Sequence, residues 1–160
     1  MIILINGAPG SGKTKTAERL FELQPQSAWV DGDYMLVVNP QERTNKEMRL
    51  RMKNISAAVN NYHEAGYSNI FISFVYMEPQ FLSDQINMLS GIDTVLTVAL
   101  VPDEETLRNR HNQDTYKREG IEYSISINKQ IASIKHDEVI DNSQMSIDEV
   151  AQKIIQIIKT

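Results

Sequence analysis

Hydrophobic positions along this chain follow two rhythms, and each change of rhythm marks an element boundary. Ile2 to Ile5 form an unbroken apolar run closed by Asn6-Gly7, as in a buried strand. Beyond a Gly-rich stretch, Ala17, Leu20 and Phe21 fall at i, i+3 and i+4. That spacing predicts a helix from about Lys13 to Leu23, ended by Gln24-Pro25. Ala28-Trp29-Val30 reads as a short strand leading into Asp31-Gly32-Asp33. From Thr44 to Ala65, the residues Met48, Met52, Ile55, Val59 and Tyr62 make one apolar stripe of a long helix, stopped at Gly66.

The alternation continues to the last residues. Asn69 to Tyr76 is rich in aromatic and β-branched side chains and predicts a buried strand. Pro79 opens a helix with Leu82, Ile86 and Leu89 on one face and Gly91 as its stop. Asp93 to Val101 is another apolar strand, and Pro102-Asp103 begins a short charged helix. Residues 111–122 are polar and predict an exposed, mobile loop, followed by a helix from about Ser124 to Ile134 and a strand at Glu138 to Ile140. Ser146 to Glu149 form a capping box for a last helix that buries Ile147, Val150, Ala151, Ile154 and Ile158. Strands alternating with helices imply parallel βαβ units, hence a three-layer α/β sandwich with five strands.

Composition narrows the function classes. With 160 residues, 41% hydrophobic and 23% charged, the chain is expected to form a single globular domain over 1–160 with a core that needs no staple. The absence of cysteine excludes disulfide scaffolds, thiolate zinc sites and cysteine nucleophiles. A net charge of −5 argues against general nucleic-acid or membrane-surface binding, which need a cationic face. The charge is uneven: residues 1–60 carry eight Lys/Arg and six Asp/Glu, whereas 61–160 carry eight and fifteen. A slightly basic first third in an acidic chain fits an anionic ligand held there. Met1 to Ile5 has no basic residue before it and a Gly/Pro break after it, so it reads as neither signal peptide nor spanning helix. The expectation is a cytoplasmic protein, monomer or homodimer.

Gly7-Ala8-Pro9-Gly10-Ser11-Gly12-Lys13-Thr14 matches G-x-x-x-x-G-K-[ST] at every fixed position, between an apolar strand and an amphipathic helix. Glycines let successive N–H groups curl around a phosphate chain, and the helix N-terminus adds unsatisfied donors. Lys13 would neutralise β/γ-phosphate charge, and the Thr14 hydroxyl would ligate Mg²⁺. A ligand-free strand-to-helix turn has no need of Gly-Lys-Thr, since a lysine opening a helix opposes its dipole. No N-K-x-D guanine-reading segment occurs.

Asp31 and Asp33 fall at the end of the second strand. In open parallel sheets this is where ligands bind, so both would lie beside the phosphate loop. A carboxylate there can accept a proton from a substrate hydroxyl or hold the water shell of Mg²⁺. Either of the two could be the base.

The P-loop, the WVDGDYM segment and the spacing to later elements resemble the small P-loop metabolite kinases. These include gluconate, adenylylsulfate and shikimate kinases and the chloramphenicol phosphotransferase type. DGDYMLVVNP, followed by a long helix ending in NNYHEAGYSNIFIS, is more similar to uncharacterised small nucleotide-binding kinases of that group. The resemblance implies a sheet in the order 2-3-1-4-5 and transfer of the ATP γ-phosphate, with Mg²⁺, to a small-molecule hydroxyl. It implies Asp33 as base on the acceptor hydroxyl and Asp31 as Mg²⁺ support. It also implies an arginine-bearing lid over about 108–125, with Arg108, Arg110 and Arg118 closing on the phosphates. Asp141-Asn142-Ser143 corresponds to the loop flanking the adenine. One departure is plain: Phe71 to Tyr76 contains no strand-end acid, and Glu78 lies just beyond it.

Acceptor selection is expected after the second strand. Arg43, Lys46, Arg49, Arg51 and Lys53 form a basic cluster there. They read either as a solvated face balanced by Glu42 and Glu47 or as a site for an acceptor carboxylate or phosphate. Tyr34, Met35, Tyr76 and Met77 are candidates for a pocket wall or for core, and His63, His111 and His136 have no metal-ligand spacing. Two other function classes compete with the kinase. One is a non-catalytic nucleotide sensor read by a partner protein. The other, a polynucleotide 5′-hydroxyl kinase, is disfavoured by the acidic charge.

Overall fold

The computed structural model describes residues 1–114 and 120–159. Its elements in chain order are β1 (Ile2–Gly7), α1 (Lys13–Leu23), β2 (Ser27–Asp31), α2 (Asn45–Glu64), β3 (Asn69–Phe74) and α3 (Pro79–Ser90). They continue with β4 (Val95–Leu100), α4 (Glu104–Gln113), α5 (Ile121–Ser133), β5 (Glu138–Ile140) and α6 (Ile147–Ile158). A single 3-10 turn, Gly32–Met35, follows β2 directly. The five strands form one parallel sheet in the order β2-β3-β1-β4-β5, as the resemblance implied.

The central strand explains the architecture. β1 pairs with β3 on one side and β4 on the other, and Ile2 to Ile5 are fully buried. Its side chains alternate between faces. Ile2 and Leu4 join Ile70, Ile72, Met52, Ile55, Val59, Leu82 and Leu89, the apolar positions of β3, α2 and α3. Ile3 and Ile5 join Ala17, Leu20, Val150, Ala151 and Ile154 from α1 and α6. Each of these larger side chains contributes about 1.5–3 kcal/mol by leaving water. Because helices cover both faces, the strand reads as a continuous apolar run. The chain moves from β1 to β2 and β3 on one side, then to β4 and β5 on the other. The carboxyl ends of β1 and β3 therefore open into a crevice.

Some apolar positions depart from the sequence pattern. Phe21 and Tyr62 are exposed, and the Tyr62 ring packs edge-on against Tyr67 at 5.6 Å instead of entering the core. In α6, Ile155 is buried, whereas Ile147 and Ile158 are only half-buried. The expected loop at 111–122 is helical at both ends, because α4 runs to Gln113 and α5 begins at Ile121. The polar α4 is held by its cap, with Asp103 accepting from the Thr106 N–H at 2.7 Å. An i,i+4 pair between Glu104 and Arg108 supports it further. No helix among the described residues is long and apolar enough to cross a membrane.

Candidate active site

The loop joining β1 to α1 rests on a buried asparagine. Asn6 Oδ1 accepts from the Gly7 and Tyr76 N–H groups, both at 2.9 Å, and Asn6 Nδ2 donates to the Tyr76 carbonyl at 2.9 Å. The same Nδ2 lies 3.1 Å from His136 Nε2, while His136 Nδ1 is 2.9 Å from the Ile134 carbonyl. That carbonyl can only accept, so Nδ1 carries the proton and Nε2 accepts from Asn6. Burial holds the His136 pKa below the ordinary imidazole value, against smaller opposing effects of the Ile134 carbonyl and Asp137. The ends of β1 and β3 are thereby locked together directly beneath the loop.

Within the loop, Ser11 N–H donates to the Ala8 carbonyl at 3.0 Å. Gly12, the N-cap of α1, has φ 97 and ψ 3, a left-handed geometry that a side chain would strain. The Ser11 carbonyl accepts two distant donors: Asn142 Nδ2 at 2.9 Å and Arg110 Nη1 at 3.0 Å. Arg110 Nη2 also reaches the Asn142 carbonyl at 2.9 Å. Arg110 thus ties the phosphate loop to the segment after β5. Burial pulls its pKa down, and Asp103 opposes this. Among the described residues, Ser11 Oγ, Thr16 Oγ1 and Asn142 Oδ1 are buried around this loop with no hydrogen-bond partner, as expected of a cradle completed by a ligand.

Lys13 is only 8% exposed. Burial lowers its pKa, while the negative charges of Asp33 and Asp31 raise it. The two acids are not equivalent. Asp31 is half-buried, and its carboxylate accepts from the Asp33 N–H at 3.0 Å, capping the 3-10 turn. Asp33 is exposed and lines a cavity of about 600 Å³ together with Lys13 and Pro9. Gly32 between them is set against the Phe74 ring: a Cβ there would lie 2.7 Å from Phe74 Cγ. The second strand therefore ends in Asp-Gly-Asp because a side chain at the middle position has no room.

The remaining candidates separate clearly. Thr14 is half-buried at the start of α1. Arg108 points into ion pairs with Glu104 and Glu122, each at 2.8 Å, and away from the loop that Arg110 touches. Ser143 donates to Asp141 at 2.5 Å and accepts from the Asp103 N–H at 2.8 Å, joining the segment after β5 to the cap of α4. Arg118, and with it residues 115–119 of the expected lid, lies outside the described residues. Of the possible pocket residues, Tyr34 and Met77 line the cavity, whereas Tyr76 is fully buried and Met35 packs against the core. Glu78 also lines the cavity at the N-cap position of α3. No group of three metal-ligating side chains occurs among the described residues. Thr14 and Asp31 carry side-chain oxygens of the kind a hard cation takes.

In the sequence Asn6 only closes the first apolar run and His136 is a histidine without ligand spacing. Their contact spans 130 positions and leaves no local signature.

Residues 3–147 match the AAA domain family. No curated protein matches by sequence. Among solved structures, the Deinococcus radiodurans tunicamycin resistance protein is similar with a TM-score of 0.74 at 20% identity, over 98% of this chain and 94% of that one. Shikimate kinase from Bacteroides thetaiotaomicron gives 0.71 at 16% identity, over 100% and 99%. The Mycobacterium tuberculosis APS kinase solved with AMPPNP and APS gives 0.72 at 16% identity, over 99% and 97%. At these identities the likeness is one of fold. With the phosphate loop intact at the end of β1 and the family match covering most of its length, the chain belongs to the AAA domain family of P-loop proteins.

Proposed function

We propose that the protein is a phosphotransferase that moves the γ-phosphate of ATP to a hydroxyl of a small-molecule acceptor. The observation that carries this reading is the cavity shared by Lys13 of the phosphate loop and Asp33 of the acidic turn. Kinase-like neighbours of the same fold support it. In this reading the loop Gly7 to Thr14 wraps the phosphates with its N–H groups. Lys13 neutralises their charge, and the negative charges of Asp33 and Asp31 help keep it protonated. Asp33 is the base. Its carboxylate takes the acceptor hydroxyl proton as that oxygen bonds to the γ-phosphorus and the bond to the β-phosphate oxygen breaks, releasing ADP. Asp31, engaged in the turn, holds Asp33 in place.

The oxygen donors of Thr14 and Asp31 fit Mg²⁺ arriving with the nucleotide, where it would supply charge neutralisation between the phosphates. Arg110 braces the loop through Ser11, and Asn142 and Ser143 flank the nucleotide base. Arg108 exchanges its ion pairs for phosphate when the lid closes. A nucleotide sensor read by a partner is favoured only by the missing acid at the end of β3.

The test compares wild type with Asp33→Asn. Retained ATP affinity with loss of transfer supports the base assignment; equal transfer by both removes it.

A further inference from the structure

Asn6 joins the phosphate loop to the rest of the sheet, and its amide is used in full. Oδ1 accepts from the Gly7 and Tyr76 N–H groups, while Nδ2 donates to the Tyr76 carbonyl and, at 3.1 Å, to His136 Nε2. Two acceptances and two donations are all that the group can make. Three of these partners fix which way the amide faces, because the two N–H groups only donate and the carbonyl only accepts. Turning the amide over would set all three against it. The two ends of this joint also differ in firmness. Tyr76 is fully buried and anchored from its far side: its hydroxyl donates to Gln85 Oε1 at 2.9 Å, and Gln85 Nε2 donates to Ser56 Oγ of α2 at 2.9 Å. Gly7 opens the loop, whose other brace lies at Ser11. When the amide shifts, Tyr76 stays and the Gly7 end of the loop gives.

The state of His136 governs whether the amide can stay. Neutral, with its proton on Nδ1 toward the Ile134 carbonyl at 2.9 Å, the ring accepts from Asn6 at Nε2. Protonated, it brings a second N–H to the point where Asn6 presents its own. The amide cannot turn to meet it without losing the other three bonds. Burial favours the neutral ring, and the charged group acting on it is Asp137, which favours the proton. The Asp137 carboxylate is itself taken up by the Thr97 N–H and hydroxyl, at 2.8 and 2.7 Å. Lys135, beside His136 in the chain, is exposed. From the ends of β1 and β3 come Asn6, which has no charge, and Tyr76, whose hydroxyl burial keeps protonated.

We infer that His136 is a positioning residue for the phosphate loop: neutral, and acting through Asn6, it sets the Gly7 end of the loop for nucleotide, and a proton on it weakens nucleotide binding. This goes beyond phosphotransfer and holds for a kinase and a sensor alike, since it asks only that nucleotide bind at the loop.

Two measurements test it. The Kd of Mg-ADP is measured by isothermal titration at pH 7.5 and 5.5 for wild type, His136→Gln and His136→Leu. Glutamine can offer an oxygen to Asn6 in place of Nε2 and does not titrate, whereas leucine cannot accept at all. Acidification should weaken binding about 2- to 10-fold more in wild type than in His136→Gln, the range of a single hydrogen bond. At pH 7.5 His136→Leu should bind more weakly than His136→Gln. Equal acid losses in wild type and His136→Gln, or equal affinities of the two variants at pH 7.5, overturn the inference and leave phosphotransfer untouched. Absence of Mg-ADP binding at both pH values overturns the nucleotide reading with it. The second measurement needs no variant. Nitrogen NMR of the His136 ring should find the Nδ1–H tautomer at pH 7.5. Its titration should move to lower pH on loading with Mg-ADP, by the logarithm of the same affinity ratio, because the coupling is reciprocal. An Nε2–H tautomer, or a midpoint that nucleotide leaves in place, refutes the inference even where the variants fold poorly.

Discussion

Adding one methyl group at Gly32 tests how the acidic turn is held. A Cβ at this position would meet three atoms of the Phe74 side chain at 2.7–2.8 Å, closer than real carbon contacts come. Phe74 cannot swing away freely: it is 4% exposed and stacks edge-on with Tyr76 at 5.0 Å. Either the ring or the turn must shift. Overpacking of this kind costs about 1–3 kcal/mol, or roughly 2–10 °C of melting temperature in a chain of this size. Displacing the turn by even a fraction of an ångström moves Asp33, and misplacement near 1 Å costs on the order of 10²-fold in rate. Gly32→Ala should therefore melt lower and transfer phosphate at least about 10-fold more slowly. ATP affinity should stay within about 2-fold, because the contacts bracing the phosphate loop run through Asn6, Arg110 and Asn142. Melting curves, isothermal titration with ATP and transfer rates supply the three readouts. Phe74→Ala removes two of the three clashing atoms, so the two substitutions together should cost less stability than the sum of their separate costs. Wild-type melting and wild-type transfer in Gly32→Ala would refute the reasoning.

Two further predictions concern buried titratable groups. Burial disfavours the charge of Lys13, so Lys13→Met should raise the melting temperature of the nucleotide-free protein while removing the rise that Mg-ATP gives wild type. A lower melting point with a normal nucleotide response would contradict that. His136 is held neutral by burial, so its folded pKa lies below that of the unfolded chain. Its stabilising contribution is complete above about pH 6.5 and is lost as pH falls toward the folded value, where the unfolded chain takes up the proton first. Urea midpoints should drop between pH 7.5 and 5.5 in wild type and drop less in His136→Gln; parallel drops would show that His136 is not the group responsible.

How much of this was legible in the sequence depends on how local each feature is. The phosphate loop is eight consecutive residues, and the buried strands are continuous apolar runs, so both could be read directly. The boundaries of α4 and α5 were harder, because their polar residues are held by the Asp103 cap and by ion pairs rather than by an apolar stripe. Asn6 with His136, and Ser11 with Arg110 and Asn142, meet only after folding, across 130, 99 and 131 positions. The need for glycine at position 32 has no local signal, because Phe74, which forbids a side chain there, lies on another strand. Arg51 belongs to the basic cluster of the sequence, and its spacing sets it apart within that cluster. It lies three residues after Met48 and four before Ile55, on the edge of the apolar face, whereas exposed Lys46 and Lys53 do not.

The most direct test of phosphotransfer is to incubate the protein with γ-labelled Mg-ATP and a pooled extract of small metabolites, beside Asp33→Asn. The prediction is a labelled small-molecule product with wild type and none with Asp33→Asn, at equal ATP affinity. Tight ATP binding with no labelled product and no acceptor-stimulated hydrolysis would contradict it and leave a nucleotide sensor.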